Sequence, residues 1–451
     1  MTDATPTDLV RIRRCFVTLV ISLFVLYNLN LREIGVLDPL PATLLPVSLL
    51  VEGNADLDEF RELLAGDAHG RALVAFGTVQ ERDGHLVSSY PIGVPVLAVP
   101  FYALPVWLGW LDDIADYRLV AKLAASFMVA LSAGLLFLAG VRIGGVEAAL
   151  VAAITYGAAS NAWTVASQAL WQHGPGMLCL SAALLLVLRL ERNGGARTAL
   201  AAGVFLALAV ACRSLNLIPS ACLGLFVLVR HRRWVLHFGL PLILVGVWQG
   251  WYNVSTFGEI RGGYEAIWTS PWHGWRGLNQ QNAFTHPIGA GVVNLLLNPN
   301  KGLLVYSPWA IFAIVGLAAS LRSKEFPLSP YLSLWVVIVV VALAQNQLWW
   351  GGSGFGPRYF CELQTAFALV LAWLWPRIAR RPFLRTGFAV CIAFSFAVQV
   401  IGAFYTPCGW HEEPVPIDLD ESRLWDWRDP QLLRCLRAGP RPFEFLMSDA
   451  D

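Results

Sequence analysis

Apolar and polar positions along this chain come in blocks rather than in alternation. Apolar runs near 15–32, 118–140, 146–164, 170–189, 197–213, 214–230, 234–253, 302–321, 330–349, 360–376 and 386–405 are separated by short polar turns. Each is close to the roughly 17–25 residues that a helix needs to cross a bilayer. The pattern predicts an all-α polytopic membrane protein with about eleven transmembrane helices. One more apolar segment, "YPIGVPVLAVPFYALPVWLGWL" (90–111), carries Pro95, Pro100 and Pro105 after Pro91. A proline inside a helix removes a hydrogen bond and clashes with the preceding turn. No regular helix is expected there, and the segment reads as re-entrant or lying in the outer interface.

Orientation follows from the bias of Lys and Arg toward cytoplasmic loops. Arg11/Arg13/Arg14, Arg142, Arg189/Arg192/Arg197, Arg230/Arg232/Arg233, Arg322/Lys324 and Arg377/Arg380/Arg381/Arg385 fall at alternate loops. All lie on one side provided that 90–111 does not cross. The expected layout is a cytoplasmic N-terminus (1–14), a transmembrane domain (15–405) with outer loops 33–117 and 254–301, and an outer tail (406–451).

Composition agrees with this reading. Of 451 residues 56% are hydrophobic and 14% charged, with a mean hydropathy of +0.56, against about 25% charged in ordinary soluble domains. The net charge of +1 and the absence of a Lys/Arg run give no reason to expect a nucleic-acid partner. The start "MTDATPTDLVRIRRCF" looks like a signal peptide, but "YNLNLREIGVLD" offers no small-x-small cleavage site, so it reads as an uncleaved first span.

Chemistry is expected on the outer face. Asp38 follows the first span within a few residues, at membrane-surface depth. A partly dehydrated carboxylate there gains basicity and suits general-base work, which is the preferred reading; with Pro39 next to it, a helix cap is the credible alternative, and a snorkelling surface charge is another. In "DLDEF" (56–60), Asp56 and Asp58 have the spacing to hold a divalent metal through oxygen, although "DLDEFRELL" also reads as an ordinary helix start with acids favourable to the dipole. Arg213 in "ACRSLN", Arg358 in "WWGGSGFGPRYF" with Tyr359 beside it, and Lys301 in "NPNKGLLVYSP" sit at outer span ends. Cations at such depth are costly unless they face an anion or a polar cavity, and Arg suits bidentate phosphate contact. His173 in "SQALWQHGPG" is a candidate substrate contact, and Trp272, Trp275, Trp349 and Trp350 are candidates for stacking on sugar faces or for the interfacial aromatic belt. Cys408 and Cys435 lie in the outer tail, where a disulfide is permitted; Cys212 and Cys361 are a weaker pair. No G-x-S-x-G, Walker loop, dinucleotide fingerprint or H-E-x-x-H occurs.

An outer acid soon after the first span, followed by a long outer loop, resembles the GT-C superfamily of membrane glycosyltransferases, which includes protein O-mannosyltransferases and the lipid A aminoarabinose transferase. The stretches that carry the likeness are "LDPLPATLLPVSLL", "SYPIGVPVLAVPFYALP" and "GPRYF". More narrowly, "EGNxDLDEF", "ALWQHGP" and "WWGGxxFGPRY" look like the motifs of a group of bacterial membrane proteins. The resemblance implies a polyprenyl-phosphate sugar donor, a glycan, lipid or protein acceptor, a bacterial inner or plasma membrane location, Asp38 as catalytic acid residue, and Arg358 and Arg213 on the lipid phosphate. Two departures stand out: no basic residue follows Asp38 within "DPLPATLL", and no separate soluble acceptor domain follows the last span. No cofactor is required by this scheme, with a divalent metal left open. The expected reaction is sugar transfer to a hydroxyl with inversion. A flippase for lipid-linked sugars and a non-catalytic envelope assembly protein are the alternatives.

Overall fold

Small residues set how closely the apolar helices approach. The computed structural model describes residues 6–35, 37–66, 77–269 and 282–441, which are mostly helical. Helix Pro6–Asn28 lies against the 45-residue helix Ile114–Ala158, where a Cβ at Gly134 would come within 2.6 Å of Phe16 and one at Gly157 within 2.6 Å of Leu23. Tyr27 ties the contact by donating its hydroxyl to the Gly157 carbonyl at 2.9 Å. In a bilayer, association rests on such close packing and buried hydrogen bonds, because lipid tails are as apolar as the side chains. The long helix breaks at Gly145 (φ 84°), between the apolar runs 118–140 and 146–164. Helix Leu363–Ala379 packs along it at the centre of the bundle, with every residue from Leu363 to Trp373 buried.

Four helices among the described residues are long and apolar enough to cross a membrane: Ile114–Ala158, His173–Asn193, Arg232–Phe257 and Pro382–Tyr405. Shorter apolar helices, among them Ala196–Cys212, Ala310–Ser320, Ser329–Gln345 and Leu363–Ala379, complete an integral membrane protein. The run 302–321 is divided: helix Leu303–Tyr306 stops before Pro308 and a second helix starts at Ala310. The residue before a proline is pushed out of helical space, and Ser307 lies at φ −141°, ψ 66°.

Two expectations about the segment 33–117 are corrected. First, Gly93–Leu108 is a helix in spite of Pro100 and Pro105 inside it, and ends on left-handed Gly109. An internal proline costs about 3 kcal/mol, but this helix packs on Leu40–Val51 and reaches Ala196–Cys212, where a Cβ at Gly93 would lie 2.4 Å from the Ala211 backbone. Packing outweighs propensity here. Second, the chain is not wholly α: strands Val79–Arg82 and His85–Ser88 form an antiparallel hairpin turned by Asp83 (φ 51°) and Gly84 (φ 87°). That Asp-Gly pair is a hairpin signal in its own right. Leu40, Leu44, Leu57, Phe60, Leu64, Val79 and Leu86 make a small core that gives the first outer loop a shape of its own.

The tail folds back over the bundle. Cys408 and Cys435 are joined in a disulfide, and Arg423 donates to the carbonyls of Trp410, Glu413 and Val415. Asn300 donates to the carbonyls of Arg423 and Leu424 and accepts from the Gln431 backbone at 2.5 Å, which seats the tail on the segment before Leu303. Cys212 and Cys361, the weaker candidate pair, are separate buried thiols.

Candidate active site at one end of the bundle

A cavity of about 1500 Å³ opens where the first outer loop, the turns of the bundle and the tail meet. Its walls come from the segments 32–35, 37–42, 164–173, 213–215, 261–268, 282–284, 342–359 and 406–418, together with Thr78, Tyr90–Pro91, Val94 and Arg118. Among the described residues, the loops at the opposite end of the bundle contribute no lining residue, and the cavity opens at this end alone.

Asp38 and Arg358, 320 positions apart in sequence, meet in it: Arg358 Nη1 donates to Asp38 Oδ2 at 2.9 Å. Asp38 lends its side chain to this bond, and the cap position of helix Leu40–Val51 falls on Pro39. The guanidinium of Arg358 stands 4.8 Å from the centre of the Trp171 ring, and its Nε–H has no partner among the described residues. What aims it is the loop "GGSGFGP". Gly351, Gly352 and Gly356 have φ of 73°, 66° and 58°, a region that glycine enters without penalty. The arginine side chain lies along this loop so closely that a Cβ at Gly354 would be 2.8 Å from Arg358 Cδ.

A second cluster faces the first. Glu362 accepts from Arg213 Nη1 at 2.8 Å through one oxygen and lies 3.0 Å from His173 Nδ1 through the other. All three side chains are nearly buried. Tyr359 lies between the clusters, 5.7 Å from Arg213 and 5.8 Å from Arg358 measured to its ring centre. Tyr264 donates to Gln172 at 2.8 Å, and its ring meets that of Tyr90 edge-on at 6.1 Å. Burial pushes the Tyr264 hydroxyl up to about 12 and raises Tyr90 as well, with the Asp38 charge adding to the latter. Both phenols stay neutral at physiological pH and serve as hydrogen-bond donors.

The remaining arginines of the lining are also engaged. Arg118 pairs with Glu33 at 3.5 Å, Arg261 pairs with Glu265 at 3.3 Å, and Arg32 donates to the carbonyls of Ala403 and Thr406.

Of the residues singled out in the sequence, Asp38, Arg358, Tyr359, His173 and Arg213 thus share one cavity. Others do not. Lys301 stands behind the glycine loop, where its ammonium donates to the Gly352 carbonyl at 3.1 Å and to that of Gly354. This corrects its reading as a head-group contact. Trp349 and Trp350 are buried, the latter donating to Asp418 at 3.2 Å, so neither presents a face to a sugar. Trp272 and Trp275 fall outside the described residues.

Asp56 and Asp58 lie on the first outer loop away from the cavity and are joined there by His85, with one ligand atom of each within 4.8 Å of the others. The fit to a cation is poor. Asp58 already accepts from Arg61 at 2.9 Å and from the Leu86 amide at 2.8 Å, and its other oxygen is 2.6 Å from His85. Asp58 also opens the short 3₁₀ turn Asp58–Phe60 that leads into helix Arg61–Gly66, as an ordinary helix start would.

Glu362 is the main residue that sequence reasoning passed over. A carboxylate at the head of an apolar run, four positions after Arg358, is itself a signal, since such a group must find a partner.

No family model matches the sequence, and no curated protein is similar to it. Solved structures do resemble the fold. The oligosaccharyltransferase of Archaeoglobus fulgidus tethered to an acceptor peptide superposes with a TM-score of 0.53 at 12% identity, over 92% of this chain and 59% of that one. AglB from the same organism, in complex with an inhibitory peptide and a dolichol-phosphate, gives 0.50 at 12%, over 92% and 60%. ArnT from Cupriavidus metallidurans, bound to undecaprenyl phosphate, gives 0.49 at 12%, over 88% and 76%. The chain spans about three fifths of the two oligosaccharyltransferases. The architecture is the fold that these two oligosaccharyltransferases share. At 12% identity the likeness is one of fold.

Proposed function

We propose that this protein transfers a sugar from a polyprenyl-phosphate donor to an acceptor hydroxyl at the outer face of the membrane. The observation that carries the reading is the meeting of Asp38 and Arg358 in a one-ended cavity at the outer end of the bundle. The GT-C fold supports it by analogy. In this reading the chain crosses about eleven times, with its N-terminus in the cytoplasm and its C-terminus outside, and the outer loops and tail bind a glycan, lipid or protein acceptor.

The donor phosphate displaces the Asp38 carboxylate from Arg358. Arg213 backs it from the opposite wall; among the described residues only its Nη1 is engaged. Tyr359 and His173 line the space between. Asp38, once released, takes the acceptor proton as the hydroxyl oxygen attacks the anomeric carbon. The bond from that carbon to the phosphate oxygen breaks, leaving polyprenyl phosphate and an inverted glycoside. A phosphate leaving group calls for charge neutralisation, so one base and cations suffice, unlike the carboxylate pair of glycoside hydrolysis.

A flippase reading lacks comparable support, because a path across the membrane needs lining residues from both ends of the bundle. The deciding experiment incubates purified protein in nanodiscs with radiolabelled polyprenyl-phosphate sugars and membrane extract. Labelled glycoside is expected from wild type and not from D38N or R358A. Equal product from correctly inserted variants would discard the reading.

A further inference from the structure

The surroundings of Lys301 are unusual for an ammonium. It is 2% exposed and forms no ion pair among the described residues. Its Nζ meets the carbonyl oxygens of Gly352 and Gly354 and stands 3.2 Å from His411 Nε2, a third acceptor in the tautomer that carries its proton on Nδ1 and donates it to the Gly354 backbone. An ammonium has three N–H donors and an amine two, so three acceptors around one nitrogen match the charged form. Burial first, and then Lys301 itself, hold the His411 imidazole well below its usual pKa, which keeps it neutral and able to accept.

Both carbonyls belong to the loop that presents Arg358. The loop holds itself through few bonds, the Gly351 amide on the Leu348 carbonyl at 3.0 Å and the Gly356 amide on Gln431 Oε1 at 3.3 Å, and its glycines gain the most freedom when released. Lys301, by contrast, is firmly held. Asn298 Oδ1 accepts from the Lys301 amide at 3.0 Å and from the Asn300 amide at 2.9 Å, and Asn300 is bonded to the tail. The motif "NPNKG" is a bracket between the tail and the glycine loop.

We infer that Lys301 is a positioning residue: its ammonium holds the Gly352 and Gly354 carbonyls so that the loop presents Arg358 to an anionic head group. The inference rests on the reading of Arg358 as a phosphate contact. The bracket depends on a proton. Burial, with the Arg358 charge adding to it, brings Lys301 down to about 7, opposed by Asp418. His411 faces it directly, and Arg423 lies 5.4 Å from the centre of the Trp410 ring that Lys301 also approaches. Loss of the proton leaves two donors for three acceptors, and the loop is held less firmly above neutral pH.

The test measures polyprenyl phosphate binding to the full-length protein in nanodiscs from pH 6 to 9, for wild type, K301R, K301M and R358A. K301R keeps its charge throughout, and the ionisation of the lipid is common to all four. Wild-type affinity is expected to fall about tenfold relative to K301R across the upper part of this range, since the charged fraction falls tenfold per pH unit above the pKa. K301M is expected to bind weakly at every pH. Hydrogen exchange of the Gly351–Phe355 amides in wild type, corrected for intrinsic rates, needs no variant and should show protection falling over the same range. A pH-independent ratio of wild type to K301R, K301M binding like wild type, or pH-independent protection overturns the inference while R358A still binds poorly. R358A binding as well as wild type overturns the phosphate reading itself.

Discussion

Arg358 Nη1 lies 2.9 Å from Asp38 Oδ2, so the cation suited to an anionic head group and the carboxylate suited to accept a proton neutralise each other in the resting cavity. A phosphate entering the cavity must compete with Asp38. The D38N variant is therefore expected to bind polyprenyl phosphate about three- to tenfold more tightly than wild type, a modest gain because a partly exposed pair is worth little. Its transfer rate is expected to fall by about a hundredfold or more, the usual contribution of a general base. Binding and turnover measured on the same preparation check both. Tighter binding with undiminished transfer would remove Asp38 from the chemistry.

Glu362 supports two buried groups at once, Arg213 and His173. Removing one partner of a buried pair leaves an uncompensated charge, at a cost of about 3–5 kcal/mol. E362A should lower the thermal midpoint far more than D38N does, because Asp38 is about a third exposed. Fluorescence-detected size-exclusion melts of the two variants side by side decide it.

At Gly356 the constraint is steric. It holds φ +58°, and a Cβ there would lie 2.6 Å from the buried Tyr306 ring. G356A is expected to lose about 1–2 kcal/mol from the backbone alone, more from the clash, and activity with it. At Gly239, where a Cβ meets nothing within 4 Å, the same substitution should be neutral or slightly stabilising. Melting and transfer assays on both separate this constraint from a general intolerance of glycine loss.

Lys301 also bears on stability, with the opposite sign to its effect on the loop. Its folded pKa, about 7, lies below the unfolded value. Between these two pH values the unfolded chain binds a proton that the folded chain lacks, so this residue makes stability rise with pH over that window and withdraws it as pH falls toward 7. K301M should flatten that part of the pH–stability curve, as read by melts between pH 7 and 10. An unchanged slope would mean that Lys301 titrates normally.

The Cys408–Cys435 disulfide closes a loop that includes His411 and Asp418, both in the cavity wall. Opening it by C408S and C435S together should cost about 2–4 kcal/mol. Protease cleavage within 409–434 should become faster. Transfer should slow without being abolished, since Asp38, Arg358 and Glu362 lie outside the loop.

How much of this was legible beforehand varies with the kind of signal. Helix-length apolar runs are properties of single segments, so the helical bundle could be read directly. Asp38, Arg213 and Arg358 stood out because charge at span ends is conspicuous. Their pairings did not, since Asp38 to Arg358 and Arg213 to Glu362 are contacts across 320 and 149 positions that no local pattern encodes. Glu362 was overlooked because it sits within an apolar run, where one acid is averaged away. Lys301 was placed on the correct segment and assigned the wrong role, because which side of a loop a side chain faces depends on φ at Gly351, Gly352 and Gly356. The helix Gly93–Leu108 forms against its own propensity through packing that only the assembled outer loops supply.

The matched arginines of the cavity have a kinetic consequence. With Arg118, Arg213, Arg261 and Arg358 each beside a carboxylate, and Arg32 on backbone carbonyls, the lining projects little net field beyond a Debye length. An anion is then not drawn in from solution by long-range attraction, as it would be toward a cleft of one sign. Its arrival rate should change little with ionic strength, and discrimination among anions falls to contact range, where only a ligand able to take Arg358 from Asp38 stays.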